Sequence, residues 1–144
     1  MSQSPRLLSL FSGCGGMDLG FVQAGYQVVW ANDFNEWAGQ TYKRNFGDHM
    51  QVGSITDIDL TQLPEADIIT GGFPCQPHSV AGKRGASGDE RDLWGEVVRV
   101  LGEAKPRWFL GENVPGLLTS ESGRFFGRVV DDLAALGFSV GWCV

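Results

Sequence analysis

Short apolar runs of strand length alternate along this chain with segments of helix length, and glycines stand at several of the stops between them. Residues 6–10 read as a first strand, and residues 16–24 as a helix stopped by Gly25. A second strand over 27–31 is followed by a helix over 36–45 and a weak third strand over 49–53. Residues 67–70 supply a fourth strand and 93–103 a helix with Leu93, Val97, Val98 and Leu101 on one side. Residues 108–111 make a fifth strand, 124–136 a helix ending at Gly137, and 138–144 begin a further strand. Such alternation predicts an α/β fold on a mostly parallel, doubly wound sheet. No repeat, low-complexity tract or linker interrupts it, so the 144 residues read as one domain.

That length buries a core without disulfides or metals. Hydrophobic content of 42%, with five Trp and nine Phe, excludes disorder. The three cysteines, Cys14, Cys75 and Cys143, are odd in number and widely spaced, so they form no disulfide framework. A reducing, cytoplasmic setting fits. The apolar run from Leu7 to Phe11 is too short for a signal peptide or a membrane span. The formal charge of −6 makes the domain a poor sequence-independent binder of nucleic acid, because that affinity comes from neutralising phosphates. Any such role needs local Lys and Arg clusters, or basic surface on another segment.

Open α/β sheets bind ligands at the carboxyl ends of their strands, and four groups of residues fall there. The first strand runs into Phe11-Ser12-Gly13-Cys14-Gly15-Gly16, a glycine-rich turn that lets the backbone approach a ligand and aim amides at it. A dinucleotide fingerprint needs glycine at position 18, where this chain has Asp18, so nicotinamide and flavin are disfavoured. The second strand ends in Asn32-Asp33-Phe34, offering a carboxylate for ribose hydroxyls and an aromatic ring for adenine. The plainer alternative for Asp33 is a helix cap for the segment 36–45. Together these two groups suggest a nucleoside cofactor without a pyrophosphate. The fourth strand leads into Gly71-Gly72-Phe73-Pro74-Cys75-Gln76-Pro77, and the fifth into Gly111-Glu112-Asn113-Val114-Pro115. A lone cysteine is ordinarily a small buried hydrophobe. Here Pro74 and Pro77 stiffen its surroundings, and Gly82-Lys83-Arg84-Gly85 is too polar for a core.

These residues resemble, in order, the motifs of the C5-cytosine DNA methyltransferases. Phe11 to Gly16 with Asp18-Leu19-Gly20-Phe21 is similar to the first cofactor motif, and Asn32-Asp33 to the second. Pro74-Cys75-Gln76 resembles the catalytic motif, continued by Ala81-Gly82-Lys83-Arg84 and by Asp89, Arg91, Leu93 and Trp94. Glu112-Asn113-Val114-Pro115-Gly116 resembles the glutamate motif.

The resemblance implies a Rossmann-like class I fold and S-adenosylmethionine as cofactor, with no metal. It implies that Phe11 and Phe34 sandwich the adenine, that Asp33 takes the ribose hydroxyls, and that Ile55 and Leu93 line an apolar edge. Gly13, Gly15 and Gly16, with Ser12 in the same motif, bring the main chain to the methionine end, and Pro74 sits near the transferred methyl. Cys75 becomes the nucleophile that adds to cytosine C6. Glu112 stabilises the ring at N3, and Gln76 and Asn113 complete the catalytic set. The base is flipped out of duplex DNA, and the loop carrying Ser79, Lys83, Arg84 and Arg91 closes on the DNA behind it.

The chain departs from the family at three places. Ser54 stands where an aspartate commonly reads the adenine amino group, a contact then expected to weaken or to shift to Asp57. His78 replaces a frequent phenylalanine, and a zinc site with Cys75 lacks two further ligands. The chain ends at Val144, before the family's arginine-bearing motif, target-recognition region and C-terminal cofactor motifs. The family also places an antiparallel strand beside the fifth, which leaves that edge open here. The expectation is an N-terminal, C-terminally truncated portion of a catalytic domain, with restriction-modification as its setting. It pairs with a complementary C-terminal chain or segment, or self-associates through the open edge, and acts on double-stranded DNA with no membrane partner. The alternatives are an RNA cytosine C5-methyltransferase and a non-catalytic cofactor-binding module of a split enzyme.

Overall fold

The computed structural model describes residues 4–74 and 93–144. Five strands, β1 (Arg6–Leu10), β2 (Gln27–Asp33), β3 (Met50–Val52), β4 (Ile68–Gly71) and β5 (Trp108–Gly111), form one sheet in the order β3-β2-β1-β4-β5. All four pairings are parallel. From β1 the chain adds β2 and β3 on one side, then crosses back to add β4 and β5 on the other. The reversal lies between β1 and β4, where an open sheet leaves a crevice beyond its strand ends.

Among the described residues four α-helices cover the faces: α1 (Gly16–Gln23), α2 (Glu36–Phe46), α3 (Trp94–Ala104) and α4 (Arg124–Ala135). Successive strand residues point to opposite faces, so β1 serves two cores. Leu7 packs with Val28, Ala31, Met50, Ile68 and Tyr42 of α2. Leu8 and Leu10 pack with Trp30, Ile69 and the buried stripes of α3 and α4. Among the described residues no helix is long and apolar enough to cross a membrane.

The structure corrects three expectations. First, β2 runs on to Asp33, because the buried Asn32 side chain donates to the Gln51 and Gly53 carbonyls, both at 3.0 Å. A polar residue there belongs to the sheet. Second, α3 buries Trp94, Val97, Val100 and Leu101, whereas Leu93 and Val98 are only partly buried. Third, the strand expected over 138–144 does not form. After Gly137 the tail stays on its own helix, with Trp142 edge-on to Phe126 at 5.3 Å, and among the described residues nothing pairs with the outer edge of β5.

Candidate cofactor and catalytic site

The turn from β1 into α1 is wound tightly at the carboxyl edge of the sheet. Phe11 has φ 53° and Gly13 φ 54°, both left-handed. For a side chain as large as Phe11 that costs on the order of 1–2 kcal/mol, a strain found mainly where a ligand site needs it. The turn is held from below. Ser12 N–H donates to the Asn32 carbonyl at 2.9 Å, and the Ser12 hydroxyl donates to the Ser9 carbonyl at 2.9 Å. Gly15, the N-cap of α1 at φ 90°, packs so closely on Phe46 that a Cβ there would enter the ring. Gly13 and Gly16 instead face open space, with no neighbour within 4 Å of a Cβ.

Asp33 closes the turn from the end of β2. Its Oδ2 accepts from Gly13 N–H and its Oδ1 from Asn35 N–H, each at 2.8 Å. A carboxylate has about four acceptor sites, so two remain for hydroxyl donors. The helix-capping role falls to Asn35, whose side chain accepts from Ala38 N–H at 3.0 Å. Phe34 beside it is 75% exposed, an apolar ring standing free at the mouth of the crevice. Beyond β3, Ser54 turns inward on its own segment, with its hydroxyl 2.7 Å from Thr56 Oγ1. Ile55 is 2% exposed and belongs to the core beside the partly buried Leu93. Arg99 of α3 fastens this segment by donating to the Ile55 carbonyl at 2.8 Å.

Across the reversal, β4 and β5 deliver the other half. Glu112 N–H donates to the Gly71 carbonyl at 3.0 Å, which continues the ladder one residue past the end of β5. The exposed Glu112 carboxylate lies over Gly72, where a Cβ would meet Oε2 at 3.2 Å. Asn113 Nδ2 donates to the Phe73 carbonyl at 2.7 Å, and the buried Phe73 ring packs on Trp94 at 4.9 Å between centroids. Pro74 follows directly, half-buried. Phe11 joins the two halves, because its ring edge would lie 3.7 Å from a Cβ at Gly71. Cys75, Gln76, His78, Ser79, Lys83, Arg84 and Arg91 lie outside the described residues.

A cavity of about 650 Å³ opens elsewhere, along β5, α4 and the tail, and borders Phe73 and Asn113. It includes neither the glycine-rich turn nor Asp33. The sequence reading also missed two buried polar residues. Asp18 entered as the residue that breaks a dinucleotide pattern and as part of the first cofactor motif, and Asn32 as part of the second, neither as a buried hydrogen-bonding group. A charge in an apolar helix (Gly16 to Gln23) was the available signal for Asp18.

A model of the C-5 cytosine-specific DNA methylase family matches residues 6–144. The chain belongs to that family. Within it, the type II methyltransferase M.NgoFVII of Neisseria gonorrhoeae is 43% identical over 96% of this chain, which covers 38% of that protein. Among solved structures, a prophage-encoded E. coli protein described as a DNA modification methyltransferase matches with a TM-score of 0.75 and 28% identity. That match takes in 92% of this chain and 38% of the E. coli protein. The S. pombe Dnmt2 methyltransferase matches with a TM-score of 0.68 and 25% identity, over 89% of this chain and 42% of its own. The chain spans less than half of each of these relatives. Its Rossmann-like sheet is the methyltransferase fold of the C-5 cytosine-specific family.

Proposed function

We propose that this chain is the cofactor-binding and catalytic part of a DNA (cytosine-5) methyltransferase that uses S-adenosylmethionine. The observation that carries the reading is convergence: the glycine-rich turn with Asp33, and Glu112 with Asn113 and Phe73, meet at one rim of the sheet, in a chain of this family. The donor set suits the cofactor. Gly13 and Gly16 leave open space at the turn, Asp33 keeps free acceptor sites for a ribose, and Phe34 offers a ring face to adenine. Phe11, Asp33 and Phe34 would hold the nucleoside, with Ser54, Ile55 and Leu93 beside it. Ser12, Gly13, Gly15 and Gly16 would serve the methionine end. S-adenosylmethionine, when bound, supplies an electrophilic methyl group.

The chain's own residues then make a weak carbon nucleophile reactive. The Cys75 thiolate adds to C6 of the flipped cytosine, and the displaced electron pair enriches C5. Glu112 protonates or hydrogen-bonds N3, where negative charge would otherwise build. Asn113 is a positioning residue: it grips the Phe73 carbonyl, two residues before Cys75. After C5 is methylated, loss of its proton restores the ring and expels Cys75. Flipping costs a few kcal/mol, and Ser79, Lys83, Arg84 and Arg91 would grip the DNA that compensates it.

The test is trapping. Duplex DNA carrying 5-fluorocytosine, with S-adenosylmethionine and the chain joined by its complementary segment, is expected to stay covalently bound to the chain through denaturing electrophoresis, because fluorine at C5 blocks the final elimination. Binding of S-adenosylhomocysteine without any adduct would remove the catalytic half of the reading. Asp33→Ala is expected to weaken S-adenosylhomocysteine about 10- to 100-fold by calorimetry, the scale of one or two hydrogen bonds to a charged group. An unchanged affinity would place the ribose elsewhere.

The partner reading rests on β5. Purely parallel sheets are covered on both faces, yet Trp108 is 67% and Leu110 47% exposed, and among the described residues the strand pairs only with β4. Such an edge recruits another strand, from a complementary segment or, failing that, from a second copy. Sedimentation of the chain alone is expected to show concentration-dependent self-association that Leu110→Lys suppresses. A strictly monomeric wild-type chain would contradict it.

A further inference from the structure

Beneath the glycine-rich turn lies a buried polar cluster that the proposed chemistry does not use. Asp18, the third residue of α1, is 0% exposed. Its Oδ1 accepts the Ser9 hydroxyl and its Oδ2 the Tyr42 hydroxyl, both at 2.6 Å. Those lengths are typical of O–H donors on a charged carboxylate. The Tyr42 proton is spent on Asp18, so the 3.3 Å contact between Tyr42 Oη and His49 Nε2 is made by a His49 N–H. Three elements and the approach to β3 are tied to one carboxylate.

Both arms of this cluster end on the turn. Ser9 gives its hydroxyl to Asp18 and its carbonyl to Ser12, so the β1 exit is gripped at both polar ends. Tyr42 packs on Phe46 with ring centroids 4.7 Å apart, and Phe46 occupies the space beside Gly15. A movement of Asp18 therefore reaches Ser12 through one arm and Gly15 through the other, and Gly13 lies between them. Burying a carboxylate without a cation is costly, and a core position alone is better served by an apolar residue.

We propose that Asp18 is a positioning residue for the cofactor turn, setting Ser12 to Gly16 through Ser9 and Tyr42. This rests on the reading of that turn as the cofactor site. The charged and titratable groups facing the cluster are Asp18, Tyr42, His49 and Asp48. Burial, then the bond and charge of Asp18, push the Tyr42 hydroxyl above its ordinary range. Burial lowers His49, and Asp18 and Asp48 partly oppose that.

The test is Asp18→Asn, which keeps the shape and removes the charge, with Ser9→Ala and Tyr42→Phe each cutting one arm. Asp18→Asn is expected to shift the amide resonances of Gly13, Gly15 and Gly16 and to weaken S-adenosylhomocysteine about 10-fold, with the fold retained. Its His49 ring protons are expected to titrate lower than in wild type, a change that loss of packing alone would not produce. Each single-arm variant is expected to reproduce part of the turn shift, and these two decide the matter if Asp18→Asn does not fold. Folded variants with unmoved turn amides would overturn the proposal. If wild type itself fails to bind S-adenosylhomocysteine, the cofactor reading falls, and the amide shifts still judge the positioning role.

Discussion

Replacing Cys75 with alanine is expected to lower methyl incorporation into DNA by about 10³-fold or more and to abolish the 5-fluorocytosine adduct, with S-adenosylhomocysteine affinity unchanged. Without addition at C6, cytosine C5 must attack a methyl group as part of an intact aromatic ring. Serine should not rescue it, because a hydroxyl stays protonated at neutral pH where a thiol is partly ionised. Glu112→Gln should fall between, at about 10²- to 10³-fold, since the amide can still donate a hydrogen bond to N3 but cannot transfer a proton. The glycine-rich turn and Asp33 lie on the other side of the reversal from Glu112, which is why cofactor affinity separates from both variants. A Cys75→Ala chain that methylates at the wild-type rate would rule out covalent catalysis.

The site was legible where function rests on spacing along the chain. Gly13 and Asp33 stand 20 residues apart, and the structure joins them by a 2.8 Å hydrogen bond. The strands Arg6–Leu10 and Trp108–Gly111 keep their expected bounds, because apolar runs end there in turn residues. What stayed hidden depends on partners distant in sequence. The buried bond of Asp18 to Tyr42, 24 residues on, shows only once the two are folded together. The left-handed backbone of Phe11 leaves no trace in composition. The stretch 138–144 has strand-like residues, but a strand needs a reachable edge, and Trp142 rests on Phe126 instead.

Trp94→Ala should destabilise the fold by about 3–5 kcal/mol, the usual cost of emptying a buried aromatic site. Trp94 is fully buried at the start of α3, with ring centroids 4.9 Å from Phe73 and 6.4 Å from Phe109. Its Nε1–H donates to Asp132 Oδ2 of α4 at 2.8 Å, so one side chain joins α3, α4 and the exits of β4 and β5. Trp94→Phe keeps most of that packing and leaves Asp132, which is partly exposed, to water and to Arg128 at 3.6 Å. Its cost should be nearer 1 kcal/mol, that of a single hydrogen bond. Urea denaturation checks both values, and a Trp94→Ala loss under about 1 kcal/mol would mean that the cavity collapses. The functional consequence follows from Phe73. Asn113 holds its carbonyl and Trp94 packs on its ring, so removing the indole loosens the backbone that leads into Pro74. At temperatures where Trp94→Ala is still folded, methyl transfer should fall while cofactor affinity holds, because the damage lies on the β4 and β5 side of the crevice.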